Sequence, residues 1–157
     1  MKVFSITLII VLISGSVIGW TVPAGSDIAV VVNRDVPIDD LSFSELRKIV
    51  LGDRQYWSSN LRVTLLIRAP AARERDVILK NVLEMTEAQY RQYWIGKVFR
   101  AENSTAPKSI SSNEMAFSLL NNIPGSVAFV DAAQVPKNLK VVRLGGLMPG
   151  DKGYPLN

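Results

Sequence analysis

The sequence predicts an α/β fold, a three-layer sandwich built on a mostly parallel sheet. Short Val- and Leu-rich runs at 28–32, 63–67, 127–130 and 141–144 read as strands. Segments with apolar residues at helical spacing lie between most of them. Strands that alternate with helices fit parallel pairing, because a parallel crossover needs a helix-length return.

The first 19 residues are expected to be an export signal. Lys2 supplies the positive start, residues 3–13 are apolar, and residues 14–19 are small and flexible, with cleavage after Gly19. The alternative is an uncleaved anchor, for which the apolar run is near the lower limit of a membrane span. No cysteine follows it, which excludes a lipoprotein anchor. Residues 20–27, with Pro23 and Gly25, read as a linker, and residues 28–157 as one domain. The mature chain is therefore expected in the periplasm.

Residues 28–32 are apolar throughout, so they read as a strand covered on both faces, as in a parallel sheet. A polar loop with Pro37 follows. Ser42 and Glu45 form a capping box that opens a helix over 43–51. Leu46, Ile49 and Val50 are its apolar stripe, Arg47 and Lys48 suit its C-terminal dipole, and Gly52 stops it. The strand at 63–67 leads into a helix over 72–83 that buries Val77, Ile78 and Val82. Thr86 and Gln89 are a second capping box, for a helix to about Phe99. A loop with Ser104, Thr105 and Pro107 comes next. Ser111 and Glu114 read as a third box, for a helix to about Asn121. Pro124 and Gly125 turn the chain into the last two strands. The tail after Gly145, rich in Gly and Pro, reads as extended over the surface.

About half of the residues are hydrophobic, enough for a real core. The chain has no histidine and no cysteine. That removes Ser-His and Cys-His nucleophile pairs, the usual zinc sites and disulfides. Asp35, Asp39 and Asp40 cluster without the spacing or glycine of a calcium loop, and read as turn formers. Thr105 near Lys108 is too little for a Ser-Lys catalyst. No enzyme activity, cofactor or metal is expected. The net charge is +4, or +3 without Lys2, and the cations are scattered apart from Arg68, Arg73 and Arg75. A nucleic-acid partner, which needs a denser basic patch, is not expected. Tyr90, Tyr93, Trp94 and Phe99 recur with Val98 at helical spacing and read as a core face rather than a sugar platform. Trp57 reads as a plug at the sheet edge.

Arg68 is the foremost functional candidate. It ends the strand at 63–67 and precedes a helix, the place where α/β sheets bind ligands. An arginine there offers an anion a two-pronged fork, and a helix start adds backbone donors. The competing reading is an ion pair, with Glu74 as its partner.

Several segments, in order, resemble the phosphate-type solute-binding proteins of bacterial ABC importers. Residues 28–33 resemble the family's Val-rich strand ending in Asn, and residues 46–57 its Leu…Gly…Trp signature. Residues 63–68 resemble its strand ending in Arg. Residues 102–109, with Ser104, Thr105, Pro107 and Lys108, are similar to a loop of short members. Residues 124–130 look like the Pro-Gly-Ala-Ile-Gly-Tyr-Val segment, and residues 150–156 like a common ending. The resemblance implies one lobe of the type II periplasmic-binding fold. It also implies delivery of phosphate or a similar oxyanion to the membrane subunits of an ABC importer. Arg68 and Arg75 match the two arginines of the family's anion loop, whereas its Ser-Gly-Thr positions read Ala72, Arg73 and Glu74.

Two functions are thus expected. One is an oxyanion-binding module that uses Arg68, the helix start at Ala71 and Ala72, Arg75, Ser104 and Thr105. The other is a degenerate domain that holds another envelope protein; an exposed apolar patch at the sheet edge would favour it.

Overall fold

The computed structural model describes residues 26–102 and 106–157. The expected export signal, most of the expected linker, Ser104 and Thr105 lie outside the described residues.

The strands are β1 (Ile28–Val32), β2 (Asp40–Leu41), β3 (Tyr56–Ser58), β4 (Leu61–Arg62), β5 (Thr64–Arg68), β6 (Lys108–Ile110), β7 (Ser126–Asp131) and β8 (Lys140–Leu144). The α-helices are α1 (Phe43–Val50), α2 (Arg73–Val77), α3 (Glu87–Phe99) and α4 (Asn113–Asn122). A π-helical turn, Ile78–Leu83, continues α2. Six strands form one sheet in the order β2-β8-β1-β7-β5-β6, and β3 and β4 form a small hairpin.

Side chains on successive strand residues point to opposite faces, and the core divides accordingly. Val30, Val32, Ile67, Val127 and Phe129 face Leu46, Ile49, Ile78, Val82, Tyr90 and Trp94. Ala29, Val31, Leu66, Ala128 and Val130 face Ala116 and Leu120 of α4. Helices therefore cover both faces, and the sheet is the middle of three layers. Each fully buried aliphatic side chain contributes about 1.5–3 kcal/mol.

Parallel pairing predominates: β5 runs parallel to β6 and β7, and β2 to β8. β1, however, pairs antiparallel with both β7 and β8. Its all-apolar sequence reports helices on both faces, not the direction of its neighbours.

The first two capping boxes form as expected, at Ser42–Glu45 and Thr86–Gln89. The third is displaced by one residue. Ser112, not Ser111, caps α4, accepting from the Met115 N–H at 3.1 Å. With Ser112 as the cap, Ala116 and Leu120 of α4 are buried against the sheet.

The tail also departs from expectation. The Tyr154 hydroxyl donates to the Ile28 carbonyl at 2.9 Å, and Ile28 N–H donates to the Leu156 carbonyl at 2.7 Å. Tyr154 and Leu156 are buried, so the tail is an anchor on β1. Trp57 is buried, and its indole N–H donates to the Gly125 carbonyl at 2.8 Å, tying the hairpin to the turn before β7.

Candidate functional site

Arg68 is the last residue of β5, beside Ile110 at the end of parallel β6. Its side chain is 16% exposed. Nε lies 3.6 Å from Glu74 Oε2, an ion-pair distance but beyond a good hydrogen bond. Nε and Nη1 are both buried without a hydrogen-bond partner among the described residues. Buried donors are nearly always satisfied, so two idle ones on one guanidinium mark this position as unusual. The strand end supplies the place, and the preceding Leu66 and Ile67 fix its direction by burial on opposite faces.

Glu74 lies in the first turn of α2 and is itself buried. A third charge belongs to the same neighbourhood. Glu114, in the first turn of α4, is held below the usual carboxylate range by its own backbone N–H and the Ser112 hydroxyl, with Arg68 adding to the effect.

Arg75 sits close by but is fully engaged. Nε and Nη2 donate to Glu87 Oε2 and Oε1, both at 2.7 Å, and Nη1 donates to the Arg68 carbonyl at 3.0 Å. Its guanidinium also lies over the Tyr90 ring, 5.3 Å from the centroid. Burial pushes the Tyr90 phenol well above its ordinary range, and its hydroxyl donates to the Val50 carbonyl at 3.2 Å. Arg75 therefore clamps the strand end to α3.

Ala72 is the N-cap of α2 and offers no side-chain hydrogen bond. Ala71 has a φ of 70°, a left-handed conformation that favours glycine, and it is exposed. The structure thus gathers Arg68, Ala71, Ala72 and Arg75 around one strand-to-helix turn, while Ser104 and Thr105 lie outside the described residues. Sequence reasoning missed Glu87 as the partner of Arg75. The two are 12 residues apart in different helices, a spacing that carries no local signal.

The Asp cluster comes apart. Asp39 pairs with Lys140 at 2.9 Å, Asp40 Oδ1 accepts from Gly146 N–H, and the Asp35 N–H is taken by Asn33. Among the described residues no group of three or more metal-ligating side chains could hold an ion. No helix among them is long and apolar enough to cross a membrane.

The aromatic face of α3 also needs correction. Tyr90 and Trp94 are core, but Val98 is exposed and Phe99 is 91% exposed. The sheet ends at β6, a strand of three residues, whose Ser109 lies across from α3. Between them runs a groove of about 620 Å³ lined by Ile67, Tyr90, Trp94, Ile95, Val98 and Phe99, among others.

A six-stranded sheet covered by helices on both faces, with Arg68 at a strand's carboxyl end, is the architecture of one lobe of the periplasmic-binding fold. Solved structures bear out that class at the level of the fold. The chain is similar to a candidate phosphate ABC transporter substrate-binding protein of Clostridium perfringens with bound phosphate, at a TM-score of 0.68 and 15% identity, covering 85% of this chain and 53% of that one. It is similar to PstS of Borrelia burgdorferi, at a TM-score of 0.67 and 16% identity, covering 85% and 55%. It is also similar to an ABC-type phosphate transport receptor of Vibrio cholerae, at a TM-score of 0.64 and 18% identity, covering 80% and 49%. The chain thus spans about half the length of these structures. No family model matches the sequence.

Proposed function

We propose that this chain is an exported solute-binding lobe of the phosphate-receptor type, with Arg68 as the group that recognises a small oxyanion. The observation that carries this reading is the pair of buried Arg68 donors, Nε and Nη1, with no acceptor at the carboxyl end of β5. The Nε and Nη1 N–H groups point to different sides of the guanidinium, so each is a separate donor for an oxyanion oxygen. The shared fold supports a receptor role, with the membrane subunits of an ABC importer as the partner. Its location in this reading is the periplasm, in keeping with the export signal expected from residues 1–19. Arg75 acts in this reading by fixing the strand end, not by touching the solute. Phosphate, with sulfate alongside, tests the reading by thermal shift. A saturable rise in Tm with either anion supports it, because a ligand held only by the folded state stabilises that state. An unchanged Tm with both at millimolar concentration counts against it.

A second reading is favoured by one observation, the apolar groove at the sheet edge with Phe99 almost fully exposed. In it the domain is an interaction part that holds another envelope protein. Capture from an envelope extract that is lost in Phe99→Glu supports it; recovery of background alone opposes it.

A further inference from the structure

We infer that Glu74 is an internal counter-anion that competes with solute for Arg68 and so lowers the affinity of the site. The inference rests on the reading of Arg68 given above and goes beyond it by naming what controls that arginine.

Glu74 is buried, and its Oε2 lies 3.6 Å from Arg68 Nε; Glu114, the other carboxylate that feels Arg68, is exposed and occupied with the Ser112 hydroxyl. Arg73, the adjacent cation, is exposed and lies on the other side of α2 with Asp76 and Lys80. It does not neutralise Glu74. Arg75, the other nearby cation, is spent on Glu87. Arg68 is therefore the cation paired with Glu74 among the described residues.

The pair is poorly made for a purely structural ion pair. A structural arginine closes a two-pronged contact near 2.8 Å, as Arg75 does with Glu87. Arg68 instead leaves Nε and Nη1 without an acceptor. The carboxylate supplies negative charge without satisfying the donors. An incoming oxyanion satisfies one of these donors, and takes Nε only where Glu74 gives way or tolerates a second negative charge beside it. A like charge within a few ångströms costs a bound anion about a factor of ten or more, even with water nearby. Replacement by the neutral isostere removes that cost and leaves the helix turn intact.

Calorimetric titration with inorganic phosphate at low salt, on wild type, Glu74→Gln, Glu74→Ser and Glu74→Gln/Arg68→Ala, tests the inference. Thermal melts confirm that each variant folds, and either single substitution serves if the other does not. The expected result is binding about tenfold tighter, or newly detectable, in the Glu74 variants, and its loss in the double variant. Wild-type binding left unchanged or weakened by the substitutions overturns the role of Glu74 while the Arg68 reading stands. Tighter binding that survives Arg68→Ala overturns it as well. Silence in every folded variant overturns both the inference and the Arg68 reading.

Discussion

Arg75 and Glu87 form a two-point ion pair, with both nitrogen–oxygen distances at 2.7 Å, and the same guanidinium donates to the carbonyl of Arg68. The pair joins the end of β5 to the first turn of α3 and so sets where Arg68 stands. Glu87→Ala leaves a buried guanidinium without its carboxylate. It is expected to destabilise the protein by about 3 kcal/mol in urea denaturation. A loss under about 0.5 kcal/mol would mean that water replaces the carboxylate and that the clamp is dispensable.

Gly125 stands at a φ of 72°, and a Cβ there would lie 2.0 Å from the backbone oxygen of Arg62. The contact is with backbone, so no side-chain rotation relieves it. Gly125→Ala is expected to cost at least about 2 kcal/mol. A melting temperature equal to that of wild type would show that the turn shifts at no cost.

Trp57 buries its ring and satisfies its N–H on the Gly125 carbonyl. Trp57→Phe removes volume and a donor together, for an expected loss of about 1–3 kcal/mol. Denaturation of this variant alongside Gly125→Ala reads their coupling through a double-mutant cycle. Simple additivity would contradict the shared turn.

Glu45 caps α1 and is held below the ordinary glutamate value of 4.5, first by the Ser42 backbone N–H, then by the Ser42 hydroxyl and Arg54. The folded state therefore prefers the carboxylate. Its contribution is present at neutral pH and disappears as the pH falls through the lowered value. The stability gap between wild type and Glu45→Gln is expected to be open at pH 7 and to close on acidification below 4.5. A gap that widens in acid would reverse the assignment. Ser42→Ala is expected to cost about 1 kcal/mol at pH 7.

Much of the fold was legible because its signals are local. Ser42 and Glu45, or Thr86 and Gln89, announce a helix start within four residues, and the all-apolar β1 announces burial on both faces. The misreadings lie where distant contacts decide. The direction of β1 depends on β7 and β8, about a hundred residues away along the chain. β6 has a single apolar residue, Ile110, too little for a pattern. Phe99 keeps a core spacing on α3 but is almost fully exposed, which periodicity along one helix does not register. At the site, the position of Arg68 was readable from the strand-to-helix step. Its pairing with Glu74 was one of two readings that the spacing left open, and the capture of Arg75 by Glu87 was not readable at all.

The most direct measurement compares wild type with Arg68→Ala by calorimetric titration with phosphate at low salt. The account predicts one saturable site in wild type and a loss of affinity of roughly tenfold to a hundredfold in the variant, the worth of charge-assisted hydrogen bonds. Equal affinity in the two folded proteins would contradict it, since the anion would then be held elsewhere.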